Sequence, residues 1–452
     1  MSMARLPYLR SMDTLTTEAS PNENRAPIPT VSRVCRDGTL IELVYDGAKR
    51  KTALAVSRFD GLWNIEQSVR IETGETLVPY SAQNNLIANE CVLLPSTPVE
   101  YGLKHELLAD IRAFLHRYVD LSPLFEAIAA HYVLLSWVYD AFGELPYLRL
   151  RGDYGTGKTR GLLAIGSLCY RPFFASGAST TSPIFHTLNS FGGTLILDEA
   201  DLPYSDARAD LVKILNNGTV PGMPVLRTVV NRHKEFNPAA FKVFGPKIIA
   251  MRESFKDTAL ESRFLTEETG MRPLRSDIPI QLPPTLKTEA LALRNRLLHF
   301  RFCEHARIKS DTSAIVKGIE PRLNQTALSL LSVIDDPALR ADMQTWLISQ
   351  NERTIADRRA TPEAGVVAAL IATFAASDKH HVLLGAVTDR FNDAHEAAYG
   401  HPMTHKWVGY MLRVRLGIAT HRSGGVYVVP ASEKAKVGAL ARRYGLALSQ
   451  GL

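Results

Sequence analysis

The spacing of apolar positions changes character along the chain. Between Val31 and Ser96 they come in short alternating runs, TLIELVYD, TALAVSRF, VRIETGETLVPYS and CVLLPS, separated by Gly- and Asn-containing breaks. A period of two bounded by turn residues predicts strands, so residues 31–98 read as a small β-rich module. In KHELLADIRAFLHRYV and LFEAIAAHYVLLSWVYDAF the apolar residues instead fall three and four apart, and the run stops at Gly143 and Pro146. That spacing predicts a helical segment over residues 99–145. Strand-like and helix-like runs then alternate over residues 146–275, as they do where helices cover a largely parallel sheet. Residues 276–378 read as almost wholly helical, 379–432 as helices followed by a hairpin, and 433–452 as a last basic helix, SEKAKVGALARRYG. The first 30 residues are polar and Pro-containing, which predicts a disordered tail.

At 452 residues the chain exceeds one ordinary core, so several domains are expected. Its 46% hydrophobic and 22% charged residues are those of a globular protein. No run of eighteen apolar residues occurs and the N-terminus lacks an apolar leader core, so neither a membrane span nor export is expected and the predicted location is cytoplasmic. Cys35, Cys91, Cys169 and Cys303 lie far apart with no metal-binding spacing and read as reduced thiols. A net charge of +6 permits a polyanionic partner without demanding one.

The chemistry concentrates in LRLRGDYGTGKTRGLLAIG. Gly152, Asp153, Tyr154, Gly155, Thr156, Gly157, Lys158 and Thr159 match G-x-x-x-x-G-K-T, between a strand-like run and a helix-like one. Glycines let backbone N–H groups turn inward around a phosphate, and the following helix N-terminus adds its dipole. Lys158 is expected at the β- and γ-phosphates, and the Thr159 hydroxyl on Mg²⁺. GGTLILDEADL then supplies a short apolar strand ending in Asp198, expected at the metal, and Glu199, expected at the attacking water. The two motifs together predict an ATP and Mg²⁺ site. No N-K-x-D base-reading motif for a GTPase occurs, and the chain runs too far past this core for a small-molecule kinase.

GDYGTGKT, LILDEAD, the arms PVLRTVV and FNPAAFKVF around a basic tip, KIIAM and ESRFL come in an order that resembles the AAA+ ATPases. Within these the chain is similar to the minichromosome-maintenance-like replicative helicases of plasmids, phages and integrative elements, over about residues 104–430. The resemblance implies a multidomain α/β chain: a AAA+ P-loop core with a parallel sheet, a helical lid, a C-terminal winged helix and a small N-terminal β-rich module. It makes Gly152 to Thr159 the Walker A loop, Asp198 and Glu199 the Walker B acids, and Arg263 the arginine finger offered to a neighbouring subunit. Arg322, in EPRLNQTALSLLSV, takes the place of the sensor-2 arginine. The polar sensor-1 residue after IIA is missing; Arg252 or Glu253 stands there.

Two DNA-facing surfaces follow from the same resemblance. One is the hairpin tip with Arg232, His233 and Lys234. The other is the winged helix, THKWVGYMLRVRLGIATHRSGGVYVVP, where Thr404 reads as an N-cap and Trp407, Val408, Met411 and Leu412 as its core stripe. Lys406 and Arg413 lie off that stripe and are the DNA-binding candidates. His401 and His405 lack further ligands, so no metal is expected there. The N-terminal module shows no primase-like acidic set, so no nucleotide polymerisation is expected. The implied function is an ATP-dependent DNA helicase or translocase, acting as a homo-oligomeric ring, a hexamer, in replication of a mobile element. Its implied partners are single-stranded or forked DNA and other replication proteins. Two alternatives stay open, an ATP-gated DNA-binding switch and a helicase loader, neither of which translocates.

Overall fold

The computed structural model describes residues 26–58, 61–200, 206–230, 236–255, 257–377 and 380–447. The chain divides into two compact units, Met1–Ile315 with Gln325–Leu339, and Val316–Asn324 with Arg340–Leu452.

The first unit is built on five parallel strands in the spatial order Phe264–Glu268, Tyr147–Arg151, Lys247–Met251, Leu195–Leu197, Phe173–Ala175. Leu195–Leu197 and Lys247–Met251 are buried at every position, as parallel strands covered on both faces must be. The helix Pro123–Trp137 is apolar nearly all round and correspondingly buried. It begins where the Ser122 hydroxyl accepts from the Phe125 N–H, with Pro123 at its first position. The helices Lys104–Tyr118, Lys158–Gly166 and Thr285–Glu304 pack around it.

Residues ahead of these helices form two small sheets. Ser32–Val34, Leu40–Asp46, Lys51–Ser57 and Trp63–Glu66 make an antiparallel meander, and Ile28–Thr30, Thr76–Pro79 and Val69–Arg70 make a second sheet. Ile28–Thr30 falls within the stretch expected as a tail; it pairs instead with Thr76–Pro79, a three-residue strand too short to show a period. The sheets do not form a core of their own. Ile41, Leu54 and Leu77 join one apolar cluster with Phe173, Leu188 and Leu195 of the parallel-sheet layer.

Arg301 fastens this junction from within. Its guanidinium, fully buried, donates to Glu42 Oε1 at 2.8 Å, to both Asp140 oxygens at 2.8 and 2.7 Å and to the Trp137 carbonyl at 2.6 Å. The Tyr170 hydroxyl donates to the same Glu42 carboxylate at 2.7 Å, and the Tyr170 ring lies 4.7 Å from the guanidinium. Burial opposes ionisation of Asp140, but the Arg301 charge and its hydrogen bonds outweigh burial and hold the carboxyl well below the usual range. A second buried cation works through carbonyls. Lys247 Nζ donates to Gly218, Val243 and Gly245 at 3.3, 2.9 and 2.9 Å, and burial pushes its pKa down to about 7. These carbonyls flank the two-stranded hairpin Val225–Val230 and Phe236–Phe241, so Lys247 ties its two roots together.

In the second unit the helices Pro362–Ala375, Leu384–Tyr399, His405–Tyr410 and Lys434–Arg443 surround a sheet ordered His381–Leu383, Val426–Pro430, His421–Ser423. Val366, Leu370, Val387, Leu412, Val429 and Val437 share its core. The expected division at residues 378 and 379 therefore cuts through a single core. Pro362–Ala375 and Lys434–Arg443 bury their apolar faces in it, whereas Thr285–Glu304 packs in the first unit. Helical period shows which residues turn inward; it does not show which neighbour they meet. No helix among the described residues is long and apolar enough to cross a membrane.

Two buried side chains make stability measurable against this fold. Arg301→Met strands the Glu42 and Asp140 carboxylates in the interior and should cost about 3–5 kcal/mol in denaturant unfolding; a cost under about 1 kcal/mol would show that the clamp contributes little. His131 is buried with Nδ1 2.8 Å from the Ala127 carbonyl, and burial lowers its pKa from 6.5 to about 4. Between those values the unfolded chain takes up a proton that the folded chain refuses. The stability this histidine allows is whole above about pH 6.5 and falls by ~1.4 kcal/mol per unit down to about pH 4. Unfolding titrations of wild type and His131→Leu should therefore diverge in slope over that window and run parallel above it.

Candidate phosphate-binding site

Tyr147–Arg151 runs into the glycine loop and the helix Lys158–Gly166 leaves it. Gly155 (φ 73°) and Gly157 (φ 87°) are left-handed with open space around them, so backbone conformation, not crowding, demands glycine there. Gly152 is required for the opposite reason. A Cβ on it would lie 2.4 Å from Thr269 Oγ1 and 2.6 Å from the Thr269 carbonyl. Thr269 holds the loop's flank: its N–H donates to Arg151 at 2.7 Å, and its hydroxyl meets that of Thr156 at 2.8 Å. Lys158 Nζ donates to the carbonyls of Gly152 and Asp153, both at 2.6 Å, which stations the ammonium across the loop.

Thr159 opens the helix and Asp198 ends the strand Leu195–Leu197, and the fold brings them into contact, Thr159 Oγ1 donating to Asp198 Oδ2 at 2.7 Å. The other Asp198 oxygen accepts the Glu199 N–H at 2.9 Å. Glu199 is left-handed (φ 52°) and exposed beside them. Because Lys247–Met251 lies between the loop's strand and the acids' strand, its C-terminal end points between the two motifs. Arg252 stands at that end, its guanidinium 4.4 Å from the Tyr154 ring and bonded to the Tyr154 hydroxyl. Lys158, Thr159, Asp198, Glu199 and Arg252 line one cavity of about 380 Å³. Of the two residues at the sensor-1 position, Arg252 lines it and Glu253 does not.

Sequence reasoning missed a second cavity of about 460 Å³ against the other flank of the loop. Val119, Leu121, Leu150, Ile278 and Pro279 give it apolar walls, with Arg160 at its edge. Thr269 and Gly270 were missed as well, since nothing local marks a residue more than a hundred positions away as the loop's brace.

The remaining candidates are not gathered here. Arg263 is expected from the sequence at the surface, ready for a neighbouring subunit. Its side chain is only 7% exposed, turned inward onto the Asn216 side-chain oxygen. It precedes the strand Phe264–Glu268, and its carbonyl accepts the Tyr147 N–H at 2.9 Å. Arg322 belongs to the second unit and is exposed in the first turn of Pro321–Ser332. Arg232, His233 and Lys234 lie outside the described residues; the arms that carry them pair antiparallel, apart from the parallel sheet. Lys406 and Arg413 are exposed, Arg413 donating to Thr420 Oγ1 at 3.1 Å with its guanidinium 5.7 Å from the Tyr427 ring. Thr404 caps that helix, which continues as a π-turn over Met411–Arg415. No group of His, Cys, Asp and Glu among the described residues is arranged to hold a metal by itself.

No protein-family model matches the sequence, and no curated protein matches it. Among solved structures, the C-terminal region of NrS-1 is 12% identical over 86% of this chain and 96% of that one, with a TM-score of 0.38. JCV helicase is 16% identical over 67% of each chain at a TM-score of 0.24. Cdc6p from Pyrobaculum aerophilum is 12% identical over 74% of this chain and 97% of that one at 0.23. Superpositions this loose carry no functional argument; the residues of the site have to supply it.

If the cavity takes a nucleoside triphosphate, Lys158→Ala should abolish binding of a fluorescent ATP analogue. Arg252→Ala should still bind it yet turn ATP over more slowly by on the order of 10²-fold, the scale of removing one preorganised charge donor. Undiminished turnover in Arg252→Ala would remove that residue from the reaction.

Proposed function

We propose that the chain is an ATP-driven DNA helicase or translocase of the AAA+ kind. The observation that carries the ATPase half is the 2.7 Å contact of Thr159 with Asp198 inside a cavity that also holds Lys158 and Arg252. A hydroxyl beside a carboxylate is the hard oxygen pair that Mg²⁺ prefers, and the glycine loop with its lysine suits the phosphates, so the residues fit Mg²⁺ and ATP. When bound, Mg²⁺ supplies charge neutralisation between the β- and γ-phosphates.

The chain's own residues do the rest in this reading. The N–H groups of Gly155 to Lys158 orient the phosphates, and Lys158 leaves the Gly152 and Asp153 carbonyls to donate to them. Glu199, exposed at the cavity's edge, orients a water and accepts its proton. Arg252 faces the reacting phosphate from within the same chain and offsets its developing charge. Arg263 would have to leave Asn216 to serve a neighbouring subunit, so the proposal gives the charge-neutralising role to Arg252 first. The apolar cavity beside Val119 and Ile278 suits a nucleobase.

The DNA half rests on two surfaces. The paired arms Val225–Val230 and Phe236–Phe241, whose roots Lys247 ties, flank the basic sequence Arg232 to Lys234. In the second unit the order helix, strand, two helices and two strands suits a winged helix presenting Lys406 and Arg413. A ring of such subunits, six in this proposal, would line a channel with the hairpins, where cations grip phosphates.

A forked-duplex assay tests the proposal. With ATP the wild type should displace the strand, and with a non-hydrolysable analogue it should not. Replacing Arg232 and Lys234 with Ala should abolish unwinding while ATP binding persists. A wild-type protein that hydrolyses ATP and never displaces a strand is the outcome expected of a switch or loader, and would overturn the motor.

A further inference from the structure

A cavity of about 870 Å³ has no part in the site above. It lies beyond the amino ends of the parallel strands, away from the glycine loop, and is lined by the strands Ile28–Thr30 and Ser32–Val34 and by both roots of the hairpin, Val220–Pro224 and Ala240–Phe244. Arg171 is on its wall. The residue is 6% exposed and left-handed (φ 41°), its guanidinium lies 4.1 Å from the Tyr170 ring, and its Nε is buried with no hydrogen-bond partner. Among the described residues no carboxylate pairs with it.

The contrast with Arg301 is direct, since both guanidinium groups lie against the Tyr170 ring. Arg301 has two carboxylates and a carbonyl; among the described residues Arg171 has none of these. A buried guanidinium without an anion is costly, and nearby acids do not relieve it. Asp140 is committed to Arg301 and His305, and Glu75 faces Arg33 at 3.7 Å. Gly192 lines the same cavity, and a Cβ there would stand 3.6 Å from Arg171 Nη2 and 3.3 Å from the Tyr139 hydroxyl.

We propose that this cavity binds a phosphate group on Arg171, with Lys242 and Arg33 as exposed cations at its mouth. Tyr80, Tyr139 and Phe244 in the walls provide ring faces and edges for the attached base, a combination that suits nucleotide units better than a bare carboxylate. The phosphate comes either from the backbone of a single strand passing the hairpin's root or from a free nucleotide. For the first source the proposal rests on the reading of the chain as a nucleic-acid-dependent ATPase.

The test is equilibrium binding without hydrolysis, on the full chain carrying Lys158→Ala so that the glycine loop does not compete. The probe is a fluorescent thymidine oligonucleotide. Arg171→Met should weaken binding by about tenfold, the loss of one charge-assisted hydrogen-bonding group. The plot of log affinity against log salt should become shallower by about 0.7, one phosphate contact on a single strand. Lys242→Glu, an exposed change that spares the interior, should lower both in the same direction and keeps the test decisive if Arg171→Met does not fold. An oligonucleotide carrying 5-iodouracil should photocrosslink at Tyr80, Tyr139 or Phe244. Competition by thymidine monophosphate as strong as by the oligonucleotide assigns the site to a free nucleotide. Unchanged affinity and salt slope in both variants, with crosslinks elsewhere, would overturn the proposal. Because no turnover is measured, that failure is separable from a failure of the motor reading, which appears as absent strand displacement in wild type.

Discussion

The arrangement of the first unit depends on one buried charge. Arg301 comes from the helix Thr285–Glu304, Glu42 from the meander of the N-terminal sheets and Asp140 from the turn after the helix Pro123–Trp137, and all three meet where no water reaches the guanidinium. A buried ion pair adds little net stability over an apolar replacement, but it tolerates only one register of its partners. Shifting the strand Leu40–Asp46 by one residue would turn Glu42 to the other face and leave Arg301 half-paired. The clamp therefore fixes how the small sheets sit on the parallel-sheet layer, and the apolar cluster of Ile41, Leu54 and Leu195 fills the space that it defines.

Strand order does the corresponding work at the other end of the sheet. The strand before the glycine loop has one neighbour on each side, and ligands bind in such crevices outside the carboxyl ends of parallel strands. Placing Lys247–Met251 between the loop and the acids brings a third position to the cavity that neither motif contains. Arg252 occupies it. In the proposed reading this cation, held over Tyr154, stands in for the polar residue that the family resemblance leads one to expect there, and neutralises charge within one chain.

What was legible in the sequence was what local chemistry dictates. The left-handed glycines, the lysine and threonine at a helix start and an apolar strand ending in two acids are each set by neighbours a few residues away. So is the Thr404 cap. The rest depended on distant partners. Thr269 braces Gly152 across more than a hundred residues, and Glu42 meets Arg301 across 259. Arg263 shows the limit well: its place before a strand was visible, but whether its guanidinium faces a neighbour or the interior is decided by Asn216 on another helix. The grouping of Pro362–Ala375 with the C-terminal strands escaped for the same reason, since an apolar stripe does not name what covers it.

Two buried strands join the ends of this unit. Leu195–Leu197 begins after Gly192 and Gly193, which stand against Arg171, and ends in Asp198 and Glu199. Lys247–Met251 begins at the lysine that ties the hairpin's roots and ends at Arg252. At about 3.3 Å per residue, strands of three and five residues span roughly 10 and 17 Å. They are short, fully packed and hydrogen-bonded on both edges, so they transmit displacement along their length better than they absorb it. Geometry alone does not make the two ends cooperate; a ligand at one end shifts the other only by the difference in its affinity for two arrangements of the strands. The elements that could supply that difference are specific. They are the carbonyls around Lys247 at one end and the left-handed Glu199 at the other, each sitting where a small slide of the strand changes what it touches.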